Sequence, residues 1–186
     1  IAVDLLKHEE KKELIFQDDA PLSAFVFKNI SDPYVGQLSL IRVFSGALMS
    51  NTFFNNVTRN AKERICQIFI LQGKEQRAVE AATCGDIVAI AKLKETFTGD
   101  SLSNGREQLL FEPIVFPEPA ISASVKPKSR EDEEKISGAL GKMAAEDPTF
   151  KVTHDPQTKE MIVSGLGDQH LNVMIGRLKK RFHVEV

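Results

Sequence analysis

Glu112-Pro113 and Phe116-Pro117-Glu118-Pro119 place three prolines within eight residues of this chain. Each proline lacks an amide hydrogen, and each pushes the residue before it out of the helical region. The stretch can form neither a helix interior nor a central strand, so it is read as an extended connector. It divides the 186 residues into two parts with different hydrophobic periods. The expected organisation is a β domain over residues 1–112 and an α+β domain over residues 113–186.

The first part reads as short strands separated by turn signals, the pattern of a barrel or sandwich. Ala24 to Lys28 is an apolar run before the Asp32-Pro33 turn. Asp opens such a turn, Pro sets φ, and Gly36 accepts positive φ. Gln37 to Ser45 is the longest strand candidate. Leu38 and Leu40 share one face, whereas Ile41 and Val43 share the other. A phase change inside one strand predicts a bulge or a sharp bend, as closure of a barrel requires. Further strands are expected over Ile65 to Leu71, over Ile87 to Ala91 and from Leu102.

The second part mixes periods. Ile121 to Val125 alternates as a strand. Ser129 is placed to cap a helix with Glu131 and Asp132 in its first turn. Ile136, Ala139, Leu140 and Met143 then form one apolar stripe at helical spacing, and Asp147-Pro148 stops it. Phe150 to Thr153 and Met161 to Ser164 read as strands. Gly165-Leu166-Gly167 leads into a second helix with Asp168 as the expected cap and Leu171, Met174, Ile175, Leu178 and Phe182 as its stripe. His183 to Val186 is expected to begin a last strand. The order β-α-β-β-α-β is that of a ferredoxin-like α/β sandwich.

Composition excludes several classes. With 42% hydrophobic residues the chain can bury a core. Its 26 acidic and 24 basic residues leave no net basic field, so any RNA contact must rest on local patches. Cys66 and Cys84 lack CxxC spacing and are read as buried free thiols of a reducing cytosol. No apolar run approaches the ~20 residues needed to cross a membrane, and Ile1 to Glu10 has no signal-peptide pattern. A cytoplasmic, monomeric chain without a membrane partner is expected, as an internal piece of a longer protein. Asn56-Val57-Thr58 matches a glycosylation acceptor, which has little meaning without a secretory signal.

Few residues of this chain are candidates for chemistry. Phosphate cradling needs Gly-x-x-x-x-Gly-Lys-Ser/Thr after a strand. Gly138-Ala139-Leu140-Gly141-Lys142-Met143 has the wrong spacing, lacks the hydroxyl and falls in a predicted helix, and no Asn-Lys-x-Asp for guanine occurs. No GTP-binding, catalytic or metal-ligating residue is therefore assigned. Arg42 interrupts an apolar strand as an exposed or paired charge. Arg59, Lys62 and Arg64 form a basic cluster, either a solvated strand face or a phosphate contact. Arg177, Lys179, Lys180 and Arg181 crowd a helix end, where the dipole alone favours cations. His170 sits in the first turn of the second helix, either packed or exposed for function.

Four collinear blocks identify a family. They are Asp32-Pro33-Tyr34-Val35-Gly36 with Arg42-Val43-Phe44-Ser45-Gly46; Lys62-Glu63-Arg64; Gly85-Asp86-Ile87 with Leu93-Lys94 and Thr98-Gly99-Asp100-Ser101-Leu102; and Phe116-Pro117-Glu118-Pro119 through Gly167-Asp168-Gln169-His170-Leu171. Together they resemble elongation factor G, a translational GTPase. The resemblance implies that residues 1–112 are domain II, a translation-factor β-barrel, and residues 113–186 are domain III. It implies a non-catalytic segment that binds the ribosome during translocation of tRNA and mRNA. The GTPase domain, with its GTP and magnesium, would precede Ile1, and the C-terminal domains would follow Val186.

By the same resemblance, Asp32, Tyr34, Arg42, Arg59, Lys62, Arg64, Lys179 and Lys180 become candidates for contact with small-subunit rRNA and ribosomal protein. His170, Met174 and Arg177 would face the GTPase domain and its switch regions, where the inhibitor fusidic acid lodges. The chain departs from the family pattern at Asp168-Gln169, where Glu-Leu is usual, and at Lys92, where glycine is usual. A divergent paralogue, a tetracycline-protection or release-factor type of GTPase, and an independent RNA-binding or scaffold protein remain alternatives.

Overall fold

A computed structural model describes residues 2–4, 10–12, 14, 16–32, 35–73, 75–105 and 108–186. The chain divides into two compact units, Ile1–Ile114 and Val115–Val186. In the first, the strands are β1 (Ala2–Asp4), β2 (Glu10–Lys12), β3 (Ser23–Asp32), β4 (Gly36–Ser45), β5 (Leu48–Met49), β6 (Phe53–Asn56), β7 (Ala61–Arg64), β8 (Ile68–Gln72), β9 (Glu75–Val79), β10 (Ala81–Ala82), β11 (Ile87–Ala91), β12 (Ser101–Ser103) and β13 (Leu109–Phe111). In the second they are β14 (Ile121–Val125), β15 (Lys151–His154) and β16 (Met161–Gly165), with helices α1 (Arg130–Glu146) and α2 (Asp168–Phe182). No helix among the described residues is long and apolar enough to cross a membrane.

Eight strands of the first unit form one antiparallel sheet in the order β7-β6-β12-β3-β4-β11-β8-β9. Residues 48–52 tie its two ends together. Leu48 and Met49 pair with Ala82 and Ala81, and the Ser50 amide reaches Glu80 O just beyond β9 at 2.8 Å. Asn51 N–H donates to Ile65 O just beyond β7, and Ile65 N–H returns to Thr52 O. The sheet thus wraps into a barrel-like domain around Val26, Ile41, Val43, Phe54, Ile90 and Leu102.

The expected break between Leu40 and Ile41 is absent, because β4 alternates regularly there; the register shifts of the β3–β4 pair fall at Phe27 on β3 and at Phe44 on β4. Val26 pairs with Ile41 and Lys28 with Leu40, so Phe27 is the extra residue of a bulge on β3. Ile41 and Val43 enter the main core. Leu38 and Leu40 point the other way, into a second cluster with Phe69, Ala89 and Ala91. Both faces of β4 are thus apolar, which accounts for the change of pattern in the sequence without a bulge at that point.

Gly46 closes this hairpin region for steric reasons. Its φ is +69°, and a Cβ there would lie 2.5 Å from Ala20 O and 2.7 Å from Leu22 N. Its own N–H donates to Gln17 O.

In the second unit the antiparallel order is β14-β16-β15, and both helices contribute to one core. Ile136, Leu140 and Met143 of α1 meet Leu171, Met174 and Leu178 of α2, with Val125, Phe150 and Val163. The Ser129 side chain accepts the Asp132 N–H as the α1 cap, as expected. The element order is β-α-β-β-α, and residues 183–186 form no strand, against expectation. His183 ends α2 in the left-handed region at φ 55°. Lys128 N–H then reaches Glu185 O, but the Glu185 N–H is taken by Asp132 Oδ1. A side chain therefore holds a donor that a continuing ladder would need, while Val184 fills the core. The cysteines also differ from expectation: both thiols are free, but Cys66 is exposed, because Ile65 beside it takes the inward position.

Gly46→Ala should destabilise the first unit by several kcal/mol, combining left-handed strain of about 1 kcal/mol with a backbone collision. Gly73→Ala, at φ +61° but facing open space, should cost only about 1 kcal/mol. Thermal unfolding of the two variants checks the difference, and equal losses would show that the Gly46 contact is relieved.

Candidate functional site

The basic cluster of the first unit separates into an inward and an outward part. Asp100 is buried, and its Oδ2 accepts three hydrogen bonds of 2.8 Å, from Asn56 Nδ2, Arg59 Nε and Phe97 N–H. The Arg59 guanidinium also lies 4.4 Å from the Phe97 ring centroid. Arg59 is thus engaged with the barrel. Asn56, 0% exposed, is part of the same network and is sealed away from any glycosyl transfer.

Strand alternation sorts the neighbouring Lys62-Glu63-Arg64. Lys62 and Arg64 are exposed on β7, while Glu63 is half-buried. Glu63 accepts from Lys94 N–H at 2.6 Å and from the Thr96 hydroxyl. Lys62 Nζ lies 5.2 Å from the ring of Phe53, and Arg64 Nη2 is 3.4 Å from Asn51 Oδ1. Arg42 is exposed on β4 and lies 5.4 Å from the Phe44 ring. Asp32 holds its turn: Oδ1 accepts Val35 N–H at 2.9 Å, and Oδ2 accepts Gln76 Nε2 at 2.8 Å. Tyr34 lies outside the described residues.

In the second unit, His170 is tied at both ring nitrogens. Leu166 N–H donates to Nδ1 at 3.1 Å, so the imidazole proton sits on Nε2, which faces Asp147 Oδ2 at 3.3 Å. Phe150 packs edge-on at 6.2 Å. The side chain, 18% exposed, thereby joins the end of α1 to the start of α2. Gly165 makes room for it: a Cβ there would lie 2.8 Å from Leu171 Cδ2 and 3.0 Å from His170 Nδ1. Asp168 does not cap α2 as expected. Gly167 is the cap residue without a side-chain bond, and Asp168 is the first helical residue. Its charge still favours the positive helix end.

Asp147 is the residue the sequence pattern underrated, since its only signal was a helix stop before proline. Burial pushes its carboxyl upward. The hydrogen bonds from Thr149 Oγ1 and N–H, with the His170 imidazole beside it, more than offset that and hold it below the usual carboxylate range. Met174 is buried in the core, and its sulfur is 3.9 Å from Nη1 of the exposed Arg177. Lys179 pairs with Glu185 at 2.7 Å. Arg181 grips Glu146 with two bonds of 2.9 and 3.0 Å. Lys180 is exposed on the same turn. Among the described residues no group of three or more His, Cys, Asp or Glu side chains is placed to hold a metal ion.

The model of Elongation factor G domain 2 matches residues 21–105, and that of Elongation Factor G, domain III matches residues 116–186. The chain belongs to the elongation factor G family. It is 41% identical over 184 residues to Elongation factor G of Orientia tsutsugamushi, in both strain Boryong and strain Ikeda. The match covers 99% of this chain but 26% of each relative. A crystal structure of a protein from Thermus thermophilus superimposes with a TM-score of 0.75 at 29% identity, over 90% of this chain and 25% of that one. The family assignment joins the two units in the order of domains II and III.

Asp100→Ala should cost roughly 3 kcal/mol, because it takes the acceptor from the part-buried Phe97 N–H and from Arg59 Nε and leaves the buried Asn56 amide with Glu95 O as its remaining close acceptor. Lys62→Ala, on an exposed strand face, should change stability by less than about 0.5 kcal/mol. Urea unfolding of both variants checks this, and a small loss in the Asp100 variant would remove that carboxylate as the organiser of this end of the unit. Asp147 titrates below its unfolded value of about 3.9. Its contribution is therefore complete above that range and is lost as pH falls through the folded value. Asp147→Asn should lower stability at neutral pH by about 1 kcal/mol, with the gap closing in acid. A gap that stays constant with pH would contradict a charged Asp147.

Proposed function

We propose that this chain is the ribosome-engaging, non-catalytic segment of a translational GTPase of the elongation factor G type, acting in the cytoplasm on tRNA and mRNA translocation. The observation that carries the reading is the match of two family models, in family order, to its two consecutive parts. Residues 1–112 are taken as the domain that docks on small-subunit rRNA and ribosomal protein. Residues 113–186 are taken as the relay towards the GTPase domain. In that relay His170 and Arg177 lie at the surface that faces the switch regions, and Met174 shapes their seat from within the core. Lys180, with Arg42, Lys62 and Arg64, supplies exposed cations for ribosome contact, whereas Arg59, Lys179 and Asp32 act mainly by shaping the surfaces around them.

GTP and magnesium belong to the parent protein and do not fit the residues of this chain. The glycine-lysine run Gly138 to Lys142 lies inside α1, where backbone N–H groups are committed to the helix and cannot cradle a phosphate. No step of hydrolysis is therefore assigned to these residues.

The full-length protein should co-sediment with ribosomes in the presence of a non-hydrolysable GTP analogue, and loss of this co-sedimentation would overturn the proposal. The 186-residue chain alone should show no GTP turnover above background. A magnesium-dependent turnover would show that the assignment of chemistry to another domain is wrong.

A further inference from the structure

The β6–β7 hairpin exposes a combination of side chains that barrel packing does not require. On its outward row Phe53 pairs with Arg64 and Asn55 with Lys62; on its inward row Phe54 pairs with Glu63 and Asn56 with Ala61. Phe54 is 1% exposed, whereas Phe53 is 55% exposed. A single exposed apolar side chain is ordinary on a protein surface; what sets Phe53 apart is that Arg64 pairs with it and Lys62 lies by its ring. Glu63 is the only acidic residue on the two strands, and both its oxygens are spent inward on Lys94 N–H and Thr96. The outward row therefore presents one aromatic ring, two positive charges and one amide.

This row is held stiffly. The turn between the strands is fixed to β12 by Val57 N–H to Ser101 O and by Ser101 N–H to Thr58 Oγ1. Arg59 in the same turn is fixed to Asp100. β7 is also the last strand of its sheet, so among the described residues no strand lies along its outer edge. Lys62 Nζ lies over the Phe53 ring at 5.2 Å, so a base stacks on the other ring face or displaces that ammonium towards its own phosphate.

We infer that this row binds an unpaired stretch of RNA, with one base stacked on Phe53 and the flanking phosphates held by Lys62 and Arg64. Asn55 can donate to or accept from a base edge or a 2′-hydroxyl. Aromatic rings beside cations are the elements of stacking platforms for single strands. A duplex buries its base faces, so the ring selects unpaired RNA. An acidic protein surface would use the two cations but would have no need of the open ring. The inference deepens the proposed function and rests on it for RNA as the partner; the platform and its central residue Phe53 are the new element.

The test is fluorescence anisotropy of the 186-residue chain with a labelled uridine oligonucleotide of about ten nucleotides, an RNA duplex of the same length and a polyglutamate peptide. The unaltered chain should prefer the single strand. Phe53→Ala should weaken that binding by about 5- to 160-fold, the range for losing one stacked base, and Phe53→Tyr should retain it. Lys62→Ala with Arg64→Ala should weaken it and reduce the salt slope by about 1.4, or about 0.7 for each phosphate contact. The melting temperatures should stay within a few degrees of the unaltered chain. Absence of binding, equal affinity for the duplex, or unchanged affinity in Phe53→Ala would overturn the inference. Preference for polyglutamate, lost only in the double variant, would do so in favour of an acidic protein partner. Ribosome co-sedimentation of the full-length protein is read separately, so the platform can fail while the proposed function stands, and the reverse.

Discussion

The Asp100 carboxylate, buried against a side-chain amide, a guanidinium and a backbone N–H, determines what one end of the barrel-like unit can present to solvent. A buried carboxylate is costly unless its lone pairs are met, and removing one partner leaves the others unpaired. Meeting it draws Asn56 at the end of β6 and Arg59 in the following turn onto Asp100. Glu63, bonded inward to Thr96 and Lys94, does the same for the strand beyond. With the acids turned in, the cations that alternate with them are left outside. The surface chemistry of this hairpin is thus a consequence of how its interior polar groups are satisfied.

The second unit uses the same logic around a different carboxylate. Asp147 ends α1, receives both Thr149 donors and faces His170 at the start of α2. The histidine is a bracket between two helices that share one core, with Gly165 leaving the space it needs. At the far end of α2, Arg181 and Glu146 form a second bracket. Two clamps and a common apolar stripe hold the helices in one register, so Arg177 and Lys180 are displayed from a defined face of α2.

Much of this was legible from residue order. The Ser129 cap, the stripe of Ile136, Leu140 and Met143, and the apolar character of both faces of β4 follow from local rules of capping and period. The family signature was legible too, since it consists of collinear blocks rather than of contacts. What was not legible were pairings across long sequence separations. Arg59 and Asp100 are 41 residues apart, and no local pattern tells a solvated arginine from one bound to a buried acid. The missing strand at residues 183–186 is of the same kind, because Asp132 captures the Glu185 amide from 53 residues away.

The sequence by itself determined the secondary periods, the family and the absence of a phosphate-cradling motif, because each depends on neighbours along the chain. Only the tertiary structure decided that Phe27 is a bulge, that His170 is bound at both nitrogens, and that Phe53 is exposed beside two cations. Those facts depend on which strand lies opposite and which buried group needs a partner, and chain folding brings such neighbours together from far apart in the sequence.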